Sequence, residues 1–227
     1  GAYVLFGQDA IGATSFALAD LDGADGFRLD GIAVGDSAGK SVSAAGDFNG
    51  DGFIDIIVGA SAADPNGGNS GESYVVFGKA SGFTATIDLS ALDGADGFRL
   101  QGIDSGDLSG QSVSAAGDLN ADGFDDLIVG ASVAAPNGAA SGEAYVVLGR
   151  AAAPAATISL GALDGTNGFR MDGLNAQART GESVSGAGDL NGDGFGDIIV
   201  GAFNGAGTTP YAGEAYGVFG FDRGDVT

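Results

Sequence analysis

Ser41-Val42-Ser43-Ala44-Ala45-Gly46-Asp47-Phe48-Asn49-Gly50-Asp51-Gly52-Phe53-Ile54-Asp55-Ile56-Ile57-Val58-Gly59-Ala60 joins three kinds of sequence in twenty residues. Residues 41–46 are small side chains around one Val, suited to a strand in a crowded central position. Residues 47–55 form an acidic turn punctuated by glycine. Residues 54–60 are almost all apolar and rich in β-branched side chains, the pattern of a strand buried on both faces. The stretch then returns. Ser112 to Asp118 repeats Ser41 to Asp47, and Ser183 to Asp189 repeats it with Gly186 in place of one Ala.

Working outward, Gly26-Phe27-Arg28-Leu29 recurs as Gly97-Phe98-Arg99-Leu100 and as Gly168-Phe169-Arg170-Met171, each time 71 residues on. Tyr74-Val75-Val76-Phe77-Gly78 returns at Tyr145 and Tyr216, and is anticipated at Tyr3. A fixed period of this length marks a repeat architecture. Residues 1–25 read as the tail of a preceding repeat, 26–96 as a first full repeat, 97–167 as a second, and 168–227 as a third shortened at its C-terminal end. The pattern predicts a longer array continuing on both sides. In the first repeat, strands are predicted at about 26–32, 40–47, 54–60 and 73–77. Four strands in about 70 residues, repeated, predict an all-β fold of propeller blades, each a four-stranded antiparallel sheet within a larger propeller or assembly. A parallel β-solenoid uses shorter coils.

Composition narrows the chemistry. The 227 residues include 45 Gly and 4 Pro, and contain no His, Cys or Trp. Absence of His removes Ser-His-Asp catalysis and imidazole metal ligation; absence of Cys removes disulfides and thiolate chemistry. The net charge of −22 disfavours nucleic acid, whose phosphates need a basic face. A hydrophobic fraction of 44% with 14 Phe supplies a core, so the charge does not imply disorder. No apolar run approaches the roughly 18–20 residues of a membrane span.

Each repeat carries Asp-x-Asn-x-Asp-Gly-Phe-x-Asp. The positions are Asp47, Asn49, Asp51, Gly52, Phe53 and Asp55; then Asp118, Asn120, Asp122, Gly123, Phe124 and Asp126; then Asp189, Asn191, Asp193, Gly194, Phe195 and Asp197. Side chains at positions 1, 3, 5 and 9, with the carbonyl at position 7 (Phe53, Phe124, Phe195), supply hard oxygen donors of the kind Ca²⁺ takes. The glycine at position 6 allows the sharp turn. An EF-hand needs a Glu at position 12, where Val58, Val129 and Val200 stand, and its flanking helices are replaced by strands. The competing reading is an Asx-type turn without metal. Three carboxylates this close repel unless a cation joins them, so three Ca²⁺ sites are predicted, one per repeat. Full occupancy would move the formal charge from −22 to −16.

Other patterns carry less. Gly39-Lys40-Ser41 resembles the end of a phosphate-binding loop, but Val34 stands where its first glycine belongs, so a strand start is expected. Arg223-Gly224-Asp225 spells an adhesion tripeptide found in no other repeat. The acidic turns at 22–26, 93–97 and 164–168 are expected to be plain turns rather than second metal sites. Arg28, Arg99 and Arg170 are expected to pair with carboxylates of the scaffold. Glu72, Glu143 and Glu214 recur at strand starts with no partner evident. Carboxylate-pair catalysis therefore has no support, and the chain reads as a non-enzyme.

The Gly-Asp-x-Asn-x-Asp-Gly core resembles the FG-GAP repeat of integrin α-subunit propellers and their bacterial relatives, over nearly the whole chain. Gly59-Ala60-Ser61, Gly130-Ala131-Ser132 and Gly201-Ala202-Phe203 match the GAP element without its proline. Ala38-Gly39, Ser109-Gly110 and Thr180-Gly181 match the FG element without its phenylalanine. The resemblance implies calcium loops between the first two strands of each blade, on the face opposite the ligand. Loops near 61–71 and 30–39, with their repeats, would form the binding face. It further implies a secreted or cell-surface protein, of bacterial type, that binds a protein or glycan ligand or builds an extracellular assembly. Self-association through unclosed blades is a further expectation. A lectin or a purely structural filament subunit are the alternatives; Tyr211 alone supplies an aromatic residue in the variable loops, which counts against a lectin.

Overall fold

A computed structural model describes residues 1–7, 15–151, 154–205 and 212–222. Its strands are β1 (Ala2–Leu5), β2 (Gly26–Asp30), β3 (Ser41–Gly46), β4 (Asp55–Ala60), β5 (Glu72–Val76) and β6 (Thr86–Asp88), then β7 (Gly97–Gln101), β8 (Ser112–Gly117), β9 (Asp126–Ala131), β10 (Glu143–Val147) and β11 (Thr157–Ser159). β12 (Gly168–Asp172), β13 (Thr180–Gly188), β14 (Asp197–Ala202) and β15 (Glu214–Val218) complete the set. The four strands expected in each full repeat form, within two residues of the expected bounds. Among the described residues, no helix is long and apolar enough to cross a membrane.

The molecule is a row of propeller blades. One sheet runs β3-β4-β5-β7, antiparallel throughout, with β11 added in parallel on its outer edge. The next runs β8-β9-β10-β12. β13-β14-β15 and β1-β2-β6 form two further sheets of three strands each among the described residues. The registers repeat: Tyr74 lies opposite Arg99 as Tyr145 lies opposite Arg170. The sheets are phased one strand later than the repeats counted from Gly26, Gly97 and Gly168. Each blade takes three strands from one repeat and its outer strand from the next. A sequence period carries no phase, so the pattern alone could not place this boundary. Physically the exchange ties neighbouring repeats together along the chain.

The small-residue strands β3, β8 and β13 are the innermost of their sheets, and each packs against the next. Small side chains permit this crowding. Ser41 Oγ donates to the Gly110 carbonyl and Ser112 Oγ to the Gly181 carbonyl, both at 2.8 Å, so each inner strand is bonded to the first turn of the following blade. Apolar residues from facing sheets fill the space between them. Phe48, Ile57, Val75, Phe98 and Leu100 of one blade meet Leu127, Val129, Tyr145 and Val147 of the next, with Leu160 inserted among them.

Leu160 comes from a short 3-10 turn, Leu160–Ala162, directly after β11; Leu89 takes the same place in the preceding interface from Leu89–Ala91 after β6. Neither three-residue strand is long enough to show an alternating pattern, and these elements are not evident from the sequence.

Candidate metal centre

The three acidic loops each join the innermost strand of a sheet to the second: β3 to β4, β8 to β9 and β13 to β14. In the first, Asp47 accepts the Asp51 amide at 3.0 Å through Oδ1 and the Gly52 amide at 2.9 Å through Oδ2. Asn49 Oδ1 accepts the same Asp51 amide at 3.0 Å, and Asp51 Oδ1 accepts the Phe53 amide at 2.9 Å. Three side chains are thereby drawn to one side of the turn. The second loop repeats this with Asp118, Asn120 and Asp122 around the amides of Asp122, Gly123 and Phe124. The third repeats it with Asp189, Asn191 and Asp193 around Asp193, Gly194 and Phe195. The glycine at position 6 adopts φ of 87°, 89° and 93° in the three loops, a left-handed conformation that other residues adopt only with strain.

Position 9 is set apart. Asp55, Asp126 and Asp197 are fully buried. Each spans two segments. Asp55 accepts the Phe48 amide at 3.0 Å and the Gly78 amide at 2.8 Å. Asp126 accepts from Leu119 and Gly149, and Asp197 from Leu190 and Gly220. The second partner explains the recurring glycine after the fourth strand. A β-carbon at Gly78 would lie 2.5 Å from the Ile54 carbonyl oxygen, so only glycine lets the chain come close enough to reach the carboxylate.

Burial pushes the Asp55 carboxyl up to about 6, against two backbone hydrogen bonds that lower it, with Asp51 and Asp47 adding repulsion. The same balance pushes Asp126 up to about 7, with Asp122 and Asp118 as the repelling neighbours. Burial is the main cause in both, and repulsion from the loop carboxylates the smaller one.

Among the described residues, no group of three or more acidic side chains is arranged to hold a metal ion on its own carboxylates. The oxygens are instead satisfied by backbone amides. The donor chemistry still fits a hard cation. An ionised carboxylate offers about four acceptor sites, and backbone amides occupy one at Asp51, Asp122 and Asp193, two at Asp47 and Asp118 and three at Asp189, so each keeps at least one open. The rest of the donor set is a neutral Asn oxygen and a main-chain carbonyl. Asn120 is buried and its Nδ2 has no partner, whereas Asn49 and Asn191 donate theirs to Asp51 and Asp193 at 3.0 and 2.6 Å.

Replacing Asp126 by Ala tests the buried bridge. Two buried amides, of Leu119 and Gly149, lose their acceptor, at about 1–3 kcal/mol each, while relief of the carboxylate's own burial offsets part of the loss. The expected net destabilisation is about 2 kcal/mol in calcium-free urea denaturation, and an unchanged midpoint would show that the bridge holds nothing.

Elsewhere the sequence expectations divide. Glu72, Glu143 and Glu214, for which no partner was evident, each have one: the tyrosine two residues on. Tyr74 donates to Glu72 at 2.8 Å, Tyr145 to Glu143, and Tyr216 to Glu214 at 2.5 Å. Residues i and i+2 of a strand share a face, so the recurring Glu-x-Tyr was the available signal. Arg28 and Arg170 pair with Asp30 and Asp172, both at 2.6 Å, and Arg170 also reaches Glu143 at 3.5 Å. Beside Arg99 the matching position is Gln101, and the Arg99 Nε has no partner. The turns beginning at Asp22, Asp93 and Asp164 are Asx turns, closed by amides of Ala24, Ala95 and Thr166 at 2.8–2.9 Å. Ser41 after Gly39-Lys40 opens β3, as a strand start should. Arg223-Gly224-Asp225 and Tyr211 lie outside the described residues.

The opposite ends of the strands carry the longer loops. Residues 61–71 lie against the 102–109 segment of the next repeat: Asn66 Nδ2 donates to the Gly102 carbonyl at 2.8 Å and Ser105 Oγ to the Gly68 carbonyl at 2.9 Å. Residues 132–142 meet 173–179 in the same way, Asn137 Nδ2 reaching the Gly173 carbonyl at 3.0 Å. The strand directions put both pairs at the end away from the acidic turns.

Comparison with known proteins agrees with this layout. The FG-GAP repeat matches residues 38–76, 109–147 and 180–218, each stretch covering the three inner strands of a blade and its acidic loop. Integrin alpha-IIb of Mus musculus is 31% identical over 199 residues, covering 82% of this chain and 17% of that protein. Integrin alpha-4 of Xenopus laevis is 30% identical over 181 residues, covering 78% of this chain and 15% of that protein. Integrin alpha-IIb of Homo sapiens is 31% identical over 185 residues, with coverages of 78% and 16%. The chain therefore spans about a sixth of the length of these relatives.

Proposed function

Because the chain belongs to the FG-GAP repeat family, we propose that it is a non-catalytic, calcium-binding propeller module of a secreted or cell-surface protein, mediating adhesion or another protein interaction. The observation that carries the reading is the threefold recurrence of one loop. The same four side chains stand in the same hydrogen-bonded turn at one end of three successive sheets. Asp47, Asn49, Asp51, the Phe53 carbonyl and Asp55 would hold the first ion. Asp118, Asn120, Asp122, the Phe124 carbonyl and Asp126 would hold the second. Asp189, Asn191, Asp193, the Phe195 carbonyl and Asp197 would hold the third. A bound cation neutralises the crowded carboxylates and fixes the inner hairpin of its blade. Loops of this kind in extracellular modules typically respond to about 10⁻⁴–10⁻³ M calcium, the concentration found outside cells.

The ligand surface is the opposite end, where 61–71 with 102–109 and 132–142 with 173–179 build paired loops on a rigid scaffold. Loops held this way commonly carry recognition. Isothermal titration of the purified chain with Ca²⁺ tests the metal reading. Three ions per chain are expected, and none after Asp51, Asp122 and Asp193 are all changed to Asn. A wild-type chain that takes up no calcium at millimolar concentration would end the proposal.

A further inference from the structure

The acidic loops are not equally joined to one another. Position 8, which supplies no ligand, is Ile54 in the first loop, Asp125 in the second and Gly196 in the third. Asp125 reaches back across the blade boundary. Its Oδ2 accepts the amide of Asp47 at 2.8 Å, and its own amide donates to the Asp47 carbonyl at 3.1 Å. Both sides of the first residue of loop one are therefore held by the residue next to the last acidic residue of loop two. Two further contacts strengthen the join. The Arg150 amide donates to the Phe48 carbonyl at 2.9 Å. The Phe124 ring lies so close over Gly50 that a β-carbon there would be 2.4 Å from it.

The second and third loops share only part of this. The Gly196 amide donates to the Asp118 carbonyl, and the Phe221 amide to the Leu119 carbonyl, both at 2.8 Å. Gly196 has no side chain to accept the Asp118 amide. Ala121 stands where Gly50 stands in the first loop, so the seating used by Phe124 is closed to Phe195.

On the calcium reading above, we infer that Asp125 is a positioning residue that couples the first two loops, so that Ca²⁺ at one favours Ca²⁺ at the other while the third fills independently. A cation in loop two fixes Asp122 and Asp126, and with them Asp125. Asp125 then presents Asp47 already oriented, so less ordering remains for the first ion to impose. Coupling is reciprocal: the first ion must favour the second by the same factor.

The test is a site-resolved calcium titration of the whole chain by NMR. It follows the amides of Gly52, Gly123 and Gly194, each of which donates to the first Asp of its own loop at 2.9–3.0 Å. In the wild type, Gly52 and Gly123 are expected to shift together and steeply, with Gly194 following its own simple curve. Asp125→Gly reproduces the third loop's natural residue and keeps the backbone bond to Asp47, so folding is preserved. It should weaken binding at Gly52 and Gly123 by about tenfold, within the usual range of site-to-site coupling, and leave Gly194 in place. Asp125→Asn retains an acceptor for the Asp47 amide and should restore the joint transition. Without calcium, the Asp47 amide should exchange its hydrogen faster in Asp125→Gly than in the wild type. If all three glycines respond to calcium but Asp125→Gly leaves every midpoint unchanged, the coupling is refuted and the calcium reading stands. If none responds at millimolar calcium, both fall.

Discussion

Excess chelator should lower the melting temperature of the purified chain by on the order of 10 °C, and added calcium should restore it. A ligand that binds only the folded state stabilises it by RT ln(1 + [L]/Kd). At about ten times Kd each loop contributes on the order of 1.4 kcal/mol. Three loops together contribute about 4 kcal/mol, a large share of the typical 5–15 kcal/mol of a folded domain. For a chain of this size 1 kcal/mol corresponds to roughly 2–4 °C. The direction follows from the charge distribution. Asp55 and Asp126 are fully buried at the ends of loops that hold other carboxylates, and their raised pKa values record the strain of keeping them ionised. A divalent cation bound beside them would offset the cost of burying these charges and the smaller repulsion from Asp47, Asp51, Asp118 and Asp122, whereas sodium at matched ionic strength only screens exposed charge. Restoration by calcium and not by sodium therefore separates coordination from general screening. Superimposable melting curves in chelator and in millimolar calcium would show that the amide bonds of each loop suffice alone.

The parts of this molecule that were legible in its sequence are those written three times. The 71-residue period, the strands around Ser41, Asp55 and Tyr74, and the acidic loop all recur, and recurrence distinguishes design from accident. The crowding of β3 and β8 was equally readable, because Ser, Ala and Gly are what a close approach requires. Features that depend on a partner far along the chain were not. Which repeat supplies a blade's outer strand is decided by the pairing of Val76 with Gly97, and nothing local to either residue announces it. The partners of Asp55 are backbone amides, which have no letter in the sequence. Asp125 was hidden for the opposite reason: it occurs once, and aligning repeats discards what they do not share. The Glu-x-Tyr pairs are legible once the two recurrences, Glu72 and Tyr74, are taken together as neighbours on one strand face.

Gly130→Ala should destabilise the chain by about 3 kcal/mol, whereas Gly201→Ala, at the matching position of β14, should cost well under half as much. Gly130 lies in extended backbone within β9, so conformational freedom is not what requires glycine there. The constraint is space. A β-carbon at Gly130 would lie 2.0 Å from the Gly181 carbonyl oxygen and 2.4 Å from Ser112 Oγ. That carbonyl is already bonded to Ser112 at 2.8 Å, and Gly181 itself sits at φ 84°, so this part of the next blade cannot retreat without losing its own geometry. Overpacking usually costs about 1–3 kcal/mol, and a clash with fixed backbone belongs at the upper end. Gly59 meets the Gly110 carbonyl at the same 2.0 Å and should behave like Gly130. Around Gly201 the near atom is Ser183 Oγ at 2.4 Å, a side chain free to rotate, with the closest backbone atom 3.6 Å away. One substitution made at three equivalent positions thus separates intrinsic strand propensity, which is common to all three, from blade-to-blade docking, which is not. If all three variants unfold at the same denaturant concentration, the glycine before Ala60, Ala131 and Ala202 serves the strand itself and not the close docking of successive blades.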